Sequence, residues 1–302
     1  MKFSEFLDRH TQRLPVFALL LATFFWGSSF YSTSQAIAVS NPVTVVMARF
    51  AIGAVLVGLM LGRRVFSIPR STWKAGAVCG VIIFLGYATN AAGLITLPSS
   101  KVGFLTALYV PLTPFFVWVV YGKPPSKAAF LGVALAFAGL ILIADPANMD
   151  MDAGWGTWIT VFSAFLSAAE IIVVGAYAPK TEPRELAFAQ LVSVTVLSAA
   201  ALPLLDLIGV PLADTHPNAT FWIAVVWLAV IVALVQVILS WAQRYVPPAQ
   251  AAVIFTMESV FAAVIGALAG ERLGVMGLAG GALIVAGILA GEIKFRKKEQ
   301  AL

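Results

Sequence analysis

Apolar residues in this chain come in blocks of about twenty, set apart by short polar or Pro/Gly-rich punctuation, and do not alternate with polar ones. As a helix, a block of roughly 20 apolar residues crosses the ~30 Å hydrocarbon layer of a bilayer. Ten such blocks occur, at roughly 15–36, 43–62, 73–95, 100–121, 127–144, 154–176, 184–206, 219–242, 248–269 and 275–292. Connections as short as Lys123-Pro124-Pro125-Ser126 make neighbouring spans antiparallel hairpins. The pattern predicts an all-α integral membrane protein of ten transmembrane helices, with both termini on one side.

Composition agrees. Of the 302 residues, 61% are hydrophobic and 11% charged, against about 25% charged in soluble domains. Too few polar residues remain to cover a water-soluble globule. Lys2, Arg9 and Arg13 precede the first apolar block, as in a signal peptide. That block is too long, lacks a small-residue cleavage site and is followed at once by another, so we read an uncleaved first helix. The lone cysteine, Cys79, has no partner within the chain.

Charge then orients the helices. Of the 19 Lys and Arg residues, all but Arg49, Lys101 and Arg272 fall on the side of the termini, and Asp145, Asp150, Asp152, Asp206 and Asp214 collect on the other. Cytoplasmic loops carry the basic excess, which places both termini in the cytoplasm. The net charge of +5 is spread over every second loop and is topological, so no nucleic-acid partner is expected.

The chain also resembles itself. Shifted by 148 residues, Gly122, Gly132 and Gly139 fall on Gly270, Gly280 and Gly287. Shifted by 141, Asn41-Pro42 meets Glu182-Pro183, and Ala48-Arg49-Phe50 meets Ala189-Gln190-Leu191. We divide the chain into two related halves, 1–146 and 147–302. Five spans per half, an odd number, turn the second half upside down relative to the first, the inverted-repeat plan of many secondary transporters.

Short motifs recur in order across both halves: Trp26-Gly27, Ala48-Arg49-Phe50, and Phe104-Leu105-Thr106 through Pro114, then Met257-Glu258 with Phe261, and Gly270-Glu271-Arg272-Leu273. In these the chain resembles the drug/metabolite transporters of the EamA type over nearly its whole length. The resemblance implies a ten-helix carrier of the inner (plasma) membrane, of a kind that exports amino acids, other metabolites or toxic compounds. Two departures stand out. The glutamate-proline pair of that family reads Glu258-Ser259 here, which predicts a softer kink in span nine. The first-half counterpart of Gly270-Glu271-Arg272-Leu273 reads Gly122-Lys123-Pro124-Pro125 and loses the acid.

Ionisable groups inside spans are costly, by about 2.5–3.5 kcal/mol on insertion scales, so each is a functional candidate. Glu258 is a candidate proton-coupling or amine-binding carboxylate, or a glutamate that fixes helix packing. Arg49 either holds a substrate carboxylate or pairs with an acid, or it ties helix ends together. Ser163, Ser167 and Glu170 share one helix face, as an inner gate or as an interhelical hydrogen-bond seam. Tyr87 and Asn90 share a face of span three, and Thr106, Tyr109 and Thr113 share one of span four. Pro111 and Pro114 free backbone carbonyls there, which membrane depth tolerates only beside protein or a wet cavity. Gln236 lies close to the repeat equivalent of Tyr87. Trp26 is either a substrate-stacking ring or an interfacial anchor. The glycine pairs Gly76/Gly80, Gly266/Gly270 and Gly287/Gly291 point to close packing within the monomer rather than to a dimer.

No metalloprotease, dinucleotide or P-loop motif occurs, and His10 and His216 fall on opposite sides. Neither a metal nor a cofactor is expected. Arg49, Glu170 and Glu258 are read at different depths, which argues against an embedded enzyme. The reading is an alternating-access carrier whose cavity is lined by spans one, three, four, six, eight and nine. Its substrate-contacting candidates are Trp26, Tyr87, Asn90, Thr106, Tyr109, Gln236 and Glu258, and its coupling or gating candidates are Glu258, Glu170 and Arg49. Its partners are a small metabolite, the lipid bilayer and, as a candidate coupling ion, protons. Export of amino acids or related compounds comes first. A multidrug exporter and a non-transporting membrane subunit are the alternatives.

Overall fold

The computed structural model describes residues 3–122, 124, 126–144, 154–208, 213–261 and 275–299, and every regular element among them is helical. The helices are α1 (Phe3–Gly27), α2 (Ser29–Ile37), α3 (Pro42–Leu61), α4 (Arg70–Gly93), α5 (Ser99–Thr106), α6 (Tyr109–Tyr121) and α7 (Lys127–Ala144). After the midpoint come α8 (Trp155–Tyr177), α9 (Pro183–Leu207), α10 (Ala219–Ala242) and α11 (Pro248–Phe255). Helix α12 is described at 257–261, and α13 runs Val275–Glu299. Gly266, Gly270 to Leu273 and the end of the ninth span lie outside the described residues.

Seven stretches are long and apolar enough to cross a membrane: Leu14–Ile37, Pro42–Ser67, Arg70–Gly93, Lys101–Tyr121, Trp155–Lys180, Pro183–Leu207 and Ala219–Ala242. Two shorter apolar stretches, Lys127–Leu142 and Val275–Ala290, pack against one another. The burial pattern is that of a protein dissolved in lipid. Leu59, Trp158 and Ile223 face outward, while Arg49, Gln190, Gln236, Glu170 and Glu258 are buried. Hydrocarbon offers no hydrogen bonds, so polar groups must turn inward. The protein is a multi-pass helical membrane protein.

The start of α3 and that of α9 are built alike. The Asn41 side chain accepts from the Thr44 backbone N–H at 2.8 Å, and Glu182 accepts from Glu185 N–H at 2.9 Å. In each case proline holds the first helical position, where no N–H is needed. These are the two dipeptides that the 141-residue shift superposes.

The helix pairings map onto themselves when the halves are exchanged. Helix α3 packs on α9, and α7 on α13. The contact of α4 with α8 is matched by that of α10 with α1 and α2, and the contact of α4 with α9 by that of α10 with α3. The crossing of α7 and α13 is reciprocal to the atom. Gly139 rests on the carbonyl oxygen of Gly280 with Ile284 beside it, and Gly287 rests on the carbonyl of Gly132 with Ala136 beside it. Adding 148 to 132, 136 and 139 gives 280, 284 and 287, so the crossing is one contact made twice. Elsewhere Gly76 meets Ala189, and Gly80 meets Ser193, at the α4–α9 contact.

Loop contacts define two ends of the bundle. At one end, His216 N–H donates to Val39 O at 2.9 Å, and the Ser40 and Thr215 hydroxyls are 2.9 Å apart. At the other, Arg244 donates to the carbonyls of Ala178 and Thr181.

A methyl group at Gly139 would strike backbone, whereas one at Gly103 meets nothing within 4 Å. We therefore expect Gly139→Ala to destabilise the detergent-solubilised protein by about 1–3 kcal/mol and Gly103→Ala to leave it unchanged. Thermal unfolding followed by size-exclusion chromatography reads the difference.

Candidate functional site

Three spans are broken at mid-depth, and the breaks meet. Span one breaks between α1 and α2 at Ser28, whose hydroxyl bonds back to Phe25 O at 2.7 Å. Span four breaks between α5 and α6 at Ala107–Leu108. Pro111 cannot donate to Ala107 O, and Val110 N–H takes that carbonyl at 3.0 Å instead. Span nine breaks between α11 and α12 at Thr256. Ser259, 148 residues beyond Pro111, has an N–H but donates it to Thr256 O at 3.1 Å, three residues back rather than four. Span nine is thus interrupted even without the proline. A Cβ on Gly27 would lie 2.8 Å from the Glu258 carbonyl oxygen. The rings of Phe24 and Phe261, and of Trp26 and Phe255, close edge-to-face around this contact at 5.5 and 5.7 Å.

Around these breaks lies a cavity of about 710 Å³ including its open mouth, lined by Trp26, Ser29, Thr33, Arg49, Gly86, Tyr87, Asn90, Ala91, Thr106, Tyr109, Ser167, Glu170, Ile171, Phe255 and Glu258. Its walls run from mid-bundle toward the end that carries the 38–41 connection. Eight of the nine residues singled out from sequence line it. The ninth, Gln236, stands behind, donating from Nε2 to Glu170 Oε1 at 3.2 Å. Arg49, Glu170 and Glu258, read from sequence at different depths, all line this one cavity. The lining also departs from expectation in that span two enters it through Arg49, while span eight contributes only through Gln236.

Each polar wall has a local cause. The Arg49 guanidinium lies over the Tyr87 ring, 4.2 Å from its centroid, and Nη1 donates to Thr33 Oγ1 at 3.4 Å. Phe50 packs edge-on against Tyr87 at 5.1 Å. Arg49 Nε is buried and unpaired, as is the Tyr109 hydroxyl. Asn90 donates to Thr106 Oγ1 at 2.7 Å, which in turn donates to Val102 O at 2.7 Å. The Glu258 carboxylate makes no hydrogen bond or ion pair with another described residue, although Glu258 is only 6% exposed.

Of the stripe on α8, Ser163 and Ser167 bond back to carbonyls of their own helix at 2.7 and 3.0 Å. Only Glu170 reaches across to another helix. Thr113 likewise bonds to Tyr109 O at 2.8 Å and stands outside the cavity. Trp26 sits at the break inside the bundle rather than at its rim. Sequence reasoning missed Ser29, Thr33 and Phe255. The spacing Trp26, Ser29, Thr33 along one helical face was the available signal. No group of three or more His, Cys, Asp or Glu side chains that could hold a metal ion occurs among the described residues.

Broken helices around a buried polar cavity inside the bundle are a feature of multi-pass helical transport proteins. The profile of the EamA-like transporter family matches residues 13–144 and again 154–290. The chain belongs to this family of membrane transporters. It is similar to a protein of Archaeoglobus fulgidus (strain ATCC 49558 / DSM 4304 / JCM 9628 / NBRC 100126 / VC-16) described as an uncharacterized transporter. The two are 29% identical over 248 residues, 81% of this chain and 74% of that protein. One protein crystal structure superposes with a TM-score of 0.74 at 19% identity, covering 94% of this chain and 98% of that one, which shows a shared fold.

The Glu170–Gln236 pair is testable by itself. Removing one buried partner strands the other at about 1–3 kcal/mol, whereas removing both is less costly than the two losses combined. We expect Gln236→Leu and Glu170→Leu each to lower thermal stability. The double variant should be more stable than their sum predicts, as read by a double-mutant cycle of unfolding midpoints.

Proposed function

We propose that the protein is a secondary transporter that exports a small zwitterionic metabolite, an amino acid or a close relative, across the inner membrane by alternating access. The single observation that carries this reading is the lining of the cavity. A guanidinium with a free Nε and a carboxylate without a described partner stand in one space, among hydroxyl, amide and aromatic groups. A substrate carboxylate matches Arg49 and an amine matches Glu258, since each buried charge then gains a hydrogen-bonded opposite. Trp26, Tyr87 and Phe255 supply ring faces for an apolar side chain or a cation. Asn90 and Thr106 add polar contacts, and Glu170, held by Gln236, adds a carboxyl group to the same wall. Glu258, beside the contact of spans one and nine, is the group we assign to coupling with protons.

The scheme takes the chain as ten crossings in two inverted halves, 1–146 and 147–302, with the termini in the cytoplasm, a reading that the basic loops and the family's two matched repeats support. A carrier of neutral lipophilic drugs has no use for two buried charges, which favours the zwitterion over the multidrug reading.

Counterflow in proteoliposomes tests it. Vesicles preloaded with amino acids should drive uptake of a labelled amino acid, whereas nucleobase or cationic-dye preloads should not. Arg49→Ala and Glu258→Gln should each cut the rate at least tenfold, and Glu258→Gln should also abolish any response to a pH gradient. Normal counterflow in both variants rules out the assigned roles, and counterflow driven by the dyes alone turns the assignment to multidrug export.

A further inference from the structure

The open cavity occupies the half of the bundle nearer the 38–41 connection, and the opposite half contains a polar seam that is packed shut. Gln190 on α9 and Ser240 on α10 are wholly buried, with Ser240 Oγ 3.4 Å from Gln190 Oε1. Three residues further along, just past the end of α10, Gln243 is buried as well. Gln190 Nε2 and both side-chain polar atoms of Gln243 have no hydrogen-bond partner, and Gln236 Oε1, one turn before Ser240, has none either. Buried amides without partners destabilise the state that buries them. Packing by itself is better served by apolar groups, so these amides ask for another role.

The repeat supplies one. Gln190 is 141 residues beyond Arg49, and Gln236 lies within one residue of the 148-shifted Tyr87. The seam therefore holds, between α9 and α10, the places that Arg49 and Tyr87 hold between α3 and α4, where they wall the open cavity. Over the seam lies a clasp. Arg244 donates from Nε to Ala178 O at 2.9 Å and from Nη2 to Thr181 O. Pro248 presses on Gly175, where a Cβ would come within 3.0 Å of it. Together these hold the α10–α11 connection against the α8–α9 turn.

We propose that Gln190, Ser240 and Gln243 form a second contact site for a small polar substrate, closed in this structure, and that release of the Arg244 clasp opens it toward the 178–182 end. The proposal rests on the transporter reading, and it assigns to the unpaired amides the carboxylate and amine groups of the same substrate. When the seam opens, the reciprocal packing of the halves closes the cavity around Arg49.

The test is thiol accessibility without any substrate. Cys79 is the chain's lone cysteine and lies beside Gln190, so it is replaced first (Cys79→Ser). Single reporters Ser240→Cys, Gln243→Cys and, in the open cavity, Ser167→Cys are then labelled with a charged, membrane-impermeant methanethiosulfonate. With the clasp intact, Ser167→Cys should react at least tenfold faster than the two seam reporters. Adding Arg244→Ala, or Arg244→Lys should the alanine variant fail to remain monodisperse, should raise the seam rates at least tenfold and lower the Ser167→Cys rate. A rise at all three positions means general loosening and overturns the proposal, as does no change at the seam. If the reciprocal shift occurs while counterflow fails with every substrate class, the route stands and the substrate assignment falls. Successful counterflow without the shift keeps the transporter reading and overturns the seam.

Discussion

A guanidinium surrounded by hydrocarbon can place its charge only against other parts of the protein, and much of the geometry around the cavity follows from where Arg49 puts it. The ring face of Tyr87 fixes the register of α4 against α3, and the Thr33 hydroxyl fixes that of α2. Phe50, the next residue along α3, locks the far side of the Tyr87 ring edge-on. One side chain thus ties three helices at a common height. Its Nε–H, buried, finds no partner.

The breaks in spans one, four and nine answer the same shortage of hydrogen-bonding partners. A broken helix leaves carbonyls and N–H groups that lipid cannot satisfy, so breaks survive only where they face protein or a wet space. Here they face each other. Gly27 lets α1 approach the Glu258 carbonyl as no other residue can, and paired aromatic rings close the gap on either side. Proline explains the break in span four by deleting a donor. Span nine breaks with the donor present, because Ser259 turns its N–H to the tighter three-residue bond. The break there coincides with the close approach of Gly27 and with the Thr256 hydroxyl bonding back to Val253 O.

Much of this was legible in the sequence, for identifiable reasons. Apolar block length marks most helices because bilayer thickness sets a narrow range, and two of the glycine pairs spaced alike in both halves, Gly132/Gly280 and Gly139/Gly287, mark a repeat because their close helix crossing tolerates little else. Eight cavity residues were found by a simple rule, that polar side chains within apolar blocks are there for a purpose. The convergence of Arg49, Glu170 and Glu258 was hidden, because depth along a straight helix is a poor guide when three helices are broken and one side chain as long as arginine spans several ångströms. Ser29, Thr33 and Phe255 escaped because small hydroxyls and phenylalanine are ordinary in membrane helices. The span-nine break could not be read from Ser259, which has an N–H that an unbroken helix could use.

On the proposed route the two halves are related but not equal, and the inequality has consequences. Where the first half presents a fixed positive charge with an aromatic platform, the second presents neutral amides. A carboxylate-bearing substrate in the open cavity meets a permanent cation, which binds it through charge, whereas in the closed seam it would meet dipoles that bind it more weakly. The tighter site thus stands toward the 38–41 end and the looser one toward the 178–182 end. A carrier cannot use such a difference to drive net flux, since over a full cycle the empty protein returns to its starting state, and any net work has to come from a gradient. The difference sets instead how long the substrate dwells on each side, and so which step limits the cycle. For an exporter whose Arg49 cavity opens outward, release from that cavity is the slow step unless something competes with the substrate for Arg49. Glu170 lines the same cavity as Arg49, and its hold on Gln236 joins that wall to the helix that carries the seam.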